Sequence, residues 1–350
     1  MAAGDAVNDR GIMRAMALVR TAPVEEHPLA LQDVPVPAPG PGELLVKIST
    51  CGVCRSNLHT IEGDWLAAGV PAKLPIIPGH EICGRVAEIG PNVDGFRLDE
   101  RVGIQPLWTS CLRCEFCLTA REHLCLEKEI TGETVDGGYA EYIVAKAAHT
   151  YHVPDAIPDV EAAPLFCPGI TAYHAVRKAE LVPGQRVALF GMGGVGHMVI
   201  QFARLAGADV ITVARGKPHR ELAEKLGSVA TVDPSNGDAV RQLQRDGGID
   251  AAIVFAPSSE SLRDALAAIK RGGIVVNGAA PEPGPMAFPD EKRLAGTVIG
   301  NRAEMREVLR IAAAGKVEVV TETFTLAQAE EALVRLKRGE VEARAVLVIA

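Results

Sequence analysis

Val187-Ala188-Leu189-Phe190-Gly191-Met192-Gly193-Gly194-Val195-Gly196 decides how this 350-residue chain folds. An apolar, β-rich run ends in a G-x-G-x-x-G turn, and an apolar helical pattern begins near Val195. Gly191 makes the turn, Gly193 lets backbone N–H groups approach a pyrophosphate, and Gly196 lets the helix pack closely on the strand. The helix N-terminus then faces the phosphates. Alone the pattern is weak, because a glycine-rich turn often serves packing only. Its surroundings strengthen it. β-Rich runs recur at Val187–Phe190, Val210–Val213, Val229–Val232, Ala251–Phe255, Gly273–Val276 and Leu294–Ile299, with helical patterns from near Val195, Pro218, Asp238 and Ser259. That alternation implies a doubly wound parallel sheet with right-handed crossovers and a dinucleotide at its glycine turn.

The second β-run reads Val210-Ile211-Thr212-Val213-Ala214-Arg215-Gly216-Lys217. NAD-binding versions place Asp or Glu at its end to accept the ribose hydroxyls. Here Ala214 occupies that position, and Arg215 and Lys217 follow. A guanidinium and an ammonium in place of a carboxylate favour a 2′-phosphate, so NADP(H) is expected over NAD(H). The alternative is that both are ordinary solvated loop charges.

Upstream of about Leu165 the texture changes to short alternating runs (Leu44–Ser49, Gly84–Ile89, Arg101–Ile104, Tyr139–Val144) punctuated by Pro and Gly. This predicts an antiparallel, Greek-key or barrel-like β domain. Downstream of Arg302 come a helix (Ala303–Ala314), a β-run, a helix (Leu326–Lys337) and a strand (Ala345–Ile349), expected to fold back onto that domain. The chain carries 36 Lys and Arg against 44 Asp and Glu, a net charge of −8, which argues against nucleic acid or an anionic membrane as partner. With 48% apolar and 23% charged residues it can bury a sizeable core. No apolar run is long enough to span a bilayer, and the first dozen residues lack the apolar core of a secretory signal.

Eight cysteines are present, and their clustering points to metal in a reducing, cytoplasmic setting. Cys111, Cys114, Cys117 and Cys125 form C-x2-C-x2-C-x7-C, four thiolates able to close a tetrahedral shell on one Zn²⁺. An all-cysteine iron–sulfur cluster uses the same ligand type, but no Pro follows Cys125 and nothing else calls for electron transfer. A closed shell leaves no open position, so its role would be structural. A second set is scattered: Cys51-Gly52-Val53-Cys54-Arg55-Ser56-Asn57-Leu58-His59, then Gly79-His80-Glu81, then Cys167. Two Cys and one His would leave a fourth position open, as a Lewis-acid zinc requires.

Taken in order, GVCRSNLH, GHE, the four-cysteine lobe and GxGGVG resemble the zinc-containing medium-chain alcohol dehydrogenases from about Met13 onward. The resemblance implies an α/β chain: a doubly wound Rossmann domain over 168–303, and a GroES-like β-barrel catalytic domain over 13–167 and 304–350. A flexible extension would occupy 1–12. It implies Cys54, His80 and Cys167 as catalytic zinc ligands and the four-cysteine lobe as a structural zinc site, two zinc ions per subunit in all. Glu81 would be a carboxylate that approaches the metal transiently. Ser56 would be the hydroxyl that bonds the alcohol, and His59 the outer end of a proton relay through the nicotinamide ribose. Arg55 and Arg344 would contact the pyrophosphate beside Gly191, Gly193, Gly194, Val195 and Gly196. Trp65 and Trp108 are expected to line the substrate pocket, while Cys51 and Cys83 are taken as packing residues.

The resemblance places Asp after the relay hydroxyl, as the acceptor for the ring N–H of the ligand His. This chain has Asn57. Its amide oxygen could still accept that bond, but a negative charge near the metal would be lost. The expected activity is reversible hydride transfer between a primary or secondary alcohol and its aldehyde or ketone, in a cytoplasmic homodimer or homotetramer. Two other readings stay open: a cinnamyl-type aromatic alcohol dehydrogenase or aldehyde reductase, and a non-catalytic NADP(H)- or zinc-binding scaffold.

Overall fold

The computed structural model describes residues 11–245, 247–279 and 282–349. The chain divides into two compact units. One gathers the described residues up to Cys167 with Thr321–Val341 and 345–349; the other holds Pro168–Val320 with Glu342–Arg344. The extension read over 1–12 lies outside the described residues except for Gly11 and Ile12, and Ile12 opens the first strand, Ile12–Leu18.

In the second unit six parallel strands lie in the order Ala230–Val232, Asp209–Val213, Arg186–Phe190, Ile249–Val254, Ile269–Asn277 and Arg293–Gly296. The order reverses beside Arg186–Phe190, which makes its end the switch point of a doubly wound sheet. Val187, Ala188 and Leu189 are fully buried, as expected of a strand covered on both faces. The last strand stops at Gly296, short of the expected Ile299, and Ile299 itself takes a left-handed φ of 48° that no strand accommodates.

The helix after it, Arg302–Ala313, stays in the second unit, and the chain rejoins the first at Thr321, later than the residue 304 expected. Met305, Val308 and Leu309 are buried along it. Asn301 and Glu304 cap it reciprocally, and Glu304 also bonds Nδ1 of His174 at 2.9 Å on the helix Ile170–Lys178.

The first unit is built on a long strand, Glu43–Val53, within a seven-stranded sheet. Ile82–Ile89 pairs with it antiparallel, with Cys51 opposite Ile82. The strand's other edge is shared: Tyr142–Lys146 takes Glu43 to Lys47, and Arg344–Val348 takes Thr50 to Val53. Leu44, Val46, Ile48, Ile82 and Leu347 are fully buried in one cluster, and each contributes about 1.5–3 kcal/mol by leaving water. Among the described residues no helix is long and apolar enough to cross a membrane.

Candidate active site and metal centres

Strand register brings the first set of candidate ligands together. Cys51 faces Ile82, so Cys54 and His80 both lie just past the same end of one antiparallel pair. Cys54 is the N-cap of the helix Arg55–Glu62, its backbone N–H donating to Asn57 Oδ1 at 3.1 Å. Leu58 and Ile61 anchor that helix in the core. Cys167 comes from the π-helical turn Leu165–Gly169. Its neighbour Phe166 is fully buried against Gly103, where a Cβ would collide with the ring, so the turn is pinned from beneath.

Ligand atoms of Cys54, His80, Glu81 and Cys167 lie within 4.8 Å of one another, and those of Cys111, Cys114, Cys117 and Cys125 do likewise. A tetrahedral zinc with arms of about 2.3 Å has ligand–ligand edges of about 3.8 Å. Cys54 Sγ and Cys167 Sγ stand 3.7 Å apart; in the lobe, Cys111–Cys117 and Cys114–Cys117 measure 3.9 and 3.6 Å. All eight cysteines are free of disulfides. Both sets therefore fit zinc in spacing and donor chemistry. The charge also fits. Burial pulls the His80 imidazole down, but the Cys54 sulfur and the Glu133 and Glu81 carboxylates outweigh it and raise its pKa to about 9, so this point favours positive charge. In the lobe, the Arg113 backbone N–H leads in lowering Cys111 to about 7, toward the thiolate a metal needs.

Glu81 is buried beside the cluster because Gly52 has no side chain; a Cβ there would strike its carboxylate. Ser56 Oγ lies 3.0 Å from Cys54 Sγ and 3.5 Å from His80 Nε2, over the ligand pair. One helical turn on, His59 is partly exposed, with Nδ1 2.6 Å from Asp64 Oδ2 and its ring 5.1 Å from that of Trp65. Asp64 was missed in the sequence. It reaches His59 because Gly63, at φ 81°, ends the helix and turns the chain back, a signal readable from the glycine at that distance. Arg55 is exposed at the start of the helix. Trp108 sits elsewhere in the unit: its indole donates to Val144 O, and it lines a cavity of about 380 Å³ whose walls include none of the candidate ligands.

In the second unit the glycine turn has the expected form. Gly191 takes φ 101°, Gly193 faces open space, and a Cβ at Gly196 would strike Gly191 O, so helix Gly196–Leu205 lies tight on the strand end. Arg344 packs directly on Gly194. Val195 caps the helix.

His197, next in the helix, is fully buried with neither ring nitrogen hydrogen-bonded. Burial, with Arg344 close by, lowers its pKa to about 4. The unfolded chain takes up this proton below about pH 6.5, so the native state loses stability as pH falls from about 6.5 to 4, by about 2 kcal/mol at pH 5. His197→Leu is expected to remove that increment. Denaturant unfolding of both forms at pH 7 and pH 5 checks it, and equal acid losses would contradict the assignment.

At the end of the second strand, Ala214 is buried and Arg215 is exposed. Lys217 starts the helix Lys217–Lys225 and pairs with Glu221 at 3.3 Å. Arg220, unnoticed in the sequence, donates to the carbonyls of Ala214 and Arg215 and pairs with Asp233 at 2.8 Å, which fixes the loop that carries Arg215.

A β-rich unit with two cysteine-based clusters spaced for a metal, and a doubly wound unit with a glycine turn of dinucleotide-binding form, match the layout of a zinc-binding dehydrogenase. Comparison with known proteins agrees. Residues 40–155 match the alcohol dehydrogenase GroES-like domain, and residues 194–314 match the zinc-binding dehydrogenase domain. An alcohol dehydrogenase of Geobacillus stearothermophilus is 38% identical over 339 residues, covering 95% of this chain and 100% of that protein. A solved NAD-dependent alcohol dehydrogenase superposes with a TM-score of 0.89 at 27% identity, over 97% of this chain and 100% of that one. The CAD of Helicobacter pylori complexed with NADP(H) superposes at 0.83 and 25% identity, over 97% and 98%. The chain belongs to the zinc-binding, medium-chain alcohol dehydrogenase family.

Proposed function

We propose that this chain is a zinc-dependent, NADP(H)-preferring alcohol dehydrogenase. It would interconvert a primary or secondary alcohol with its aldehyde or ketone, as a cytoplasmic homo-oligomer. The observation that carries the reading is the cluster of Cys54, His80 and Cys167 with the Ser56 hydroxyl set over two of its members. Zinc at these three residues would supply Lewis acidity toward the substrate oxygen, and the nicotinamide would carry the hydride. The chain's own part is positional and protonic. Ser56 Oγ stands where it can hold the proton of a substrate hydroxyl, and His59, fixed by Asp64, offers an exchange point at the partly exposed end of the helix. Gly52 leaves room for the Glu81 carboxylate beside the ligands. At the glycine turn, Gly191, Gly193, Gly194, Val195 and Gly196 would receive the pyrophosphate, with Arg344 against Gly194.

Cofactor choice rests on Arg215, since known relatives in this fold use either nicotinamide. An exposed arginine on the Arg220-braced loop, with no carboxylate at Ala214, supports a 2′-phosphate ligand. The test is kcat/KM for NADPH and NADH on zinc-replete enzyme with a short panel of aliphatic and aromatic aldehydes. NADPH is expected to be preferred by at least about tenfold, and Arg215→Ala to lower its kcat/KM by about 10–100-fold while NADH stays within about twofold. Equal loss with both cofactors would make Arg215 a surface charge. Absence of turnover with either, at full zinc content, would turn the reading to a non-catalytic scaffold.

A further inference from the structure

The sequence leads one to expect that no carboxyl group stands behind His80, and the structure places one there from another part of the chain. Nε2 of His80 faces Ser56 and the cluster, while Nδ1 faces away, 3.4 Å from Asn57 Nδ2 and 3.7 Å from Glu133 Oε1. A ring that gives Nε2 to a metal carries its proton on Nδ1 and needs an acceptor there. Asn57 cannot serve. Its Oδ1 already accepts the Cys54 backbone N–H at 3.1 Å and the Tyr139 hydroxyl at 3.3 Å, so its donor side is left toward the ring. Turning the amide over would set Nδ2 against the Cys54 N–H, donor against donor, and break the helix cap. Asn57 thus has a different task from the one expected: it holds the Cys54 backbone.

Glu133 is the carboxylate on that side. Its side chain is only 12% exposed, and its loop is tied to the segment that carries His80. Gly137 N–H donates to Ile77 O and Gly138 N–H to Gly79 O, and Gly132, at φ 73°, lies so close on Gly79 that a Cβ would meet backbone at 2.7 Å. The Ala72 N–H donates to Glu133 O at 3.0 Å, which fixes the residue from the other side. We propose that Glu133 is the positioning residue for the zinc ligand His80, accepting its Nδ1–H and so orienting Nε2 toward the metal in place of the carboxylate that Asn57 lacks.

The proposal rests on Cys54, His80 and Cys167 as zinc ligands, and the test separates the two. Zinc is withdrawn from the holoenzyme by a graded chromogenic chelator, with the four-cysteine site as internal reference. Glu133→Gln, which keeps the shape, is expected to bind the zinc at His80 roughly 10–100-fold more weakly and to leave the reference site unchanged. Adding Asn57→Asp to that variant is expected to recover most of the loss, which a merely structural Glu133 would not allow. Cobalt in place of zinc gives a second readout: its ligand-field bands should shift in Glu133→Gln and return in the double variant. Equal affinity and identical cobalt spectra in wild type and Glu133→Gln would overturn the role of Glu133, as would failure of Asn57→Asp to restore either. A wild-type chain that holds a single zinc would overturn the ligand reading beneath it.

Discussion

Replacing Cys54 with serine is expected to lower kcat/KM about a thousandfold and to reduce bound zinc from two ions to one. The magnitude follows from the chemistry proposed for the site: a Lewis acid contributes several kcal/mol of charge stabilisation, and about 4 kcal/mol corresponds to roughly three orders of magnitude. Cys54 makes the sharpest test because it joins two structures. Its sulfur stands 3.7 Å from Cys167 Sγ, and its backbone N–H closes the cap with Asn57. Serine keeps the backbone bond and a similar volume, so the helix Arg55–Glu62 should survive and only the thiolate be lost. Metal analysis beside steady-state kinetics checks this. Full activity with one zinc, or two zincs in the variant, would contradict the assignment.

Cys125→Ser is expected to act on stability. Cys125 is the buried member of the lobe, and its sulfur accepts the backbone N–H of Cys111. Glu122 and His123 are buried beside it, but the rest of the segment is thinly anchored: the helix Glu115–Leu118 buries no residue, and Leu118 and Leu126 are 72% and 91% exposed. A segment so poor in apolar contacts depends on its metal, and losing a ligand should cost about 4 kcal/mol, a fall of about 10 °C in Tm. Limited proteolysis should then cut within residues 111–125 first. An unchanged Tm with one zinc lost would show that the lobe folds without its metal.

Sequence alone reached the doubly wound sheet because its signals are local. Each of the six β-runs carries its own apolar pattern, and G-x-G-x-x-G names the strand that precedes it. The four-cysteine lobe is legible for the same reason. Elsewhere local signals stop short. The final strand of the parallel sheet ends at Gly296, ahead of a left-handed residue that hydropathy does not report. Helix Arg302–Ala313 belongs to the second unit, where Glu304 pairs with His174, a contact between residues far apart in the chain. Around His80 the gap is wider. Asn57 is visible as a departure from the expected pattern, whereas Glu133 lies far along the chain in a loop with no motif. The packing of Gly132 and Gly137 on Gly79, with the Ala72 N–H on Glu133 O, brings it close to the ring. Asp64 and Arg220 were missed too, although each lies within a few residues of the group it serves, because their roles depend on turns.

The shared edge of strand Glu43–Val53 also sets an order of assembly. Its C-terminal half, which leads into Cys54, is flanked by Ile82–Ile89 on one side and by Arg344–Val348 on the other. The four-cysteine lobe needs only residues 111–125, so a ribosome can release it complete and able to take metal early. The cluster at His80 waits for Cys167, and the second edge of its supporting strand beside Cys54 is covered only when the residues near 348 have emerged. Loop closure over such distances is slow beside local turns. The ligands of the lobe are thus all present in the chain well before Cys167 can join Cys54 and His80.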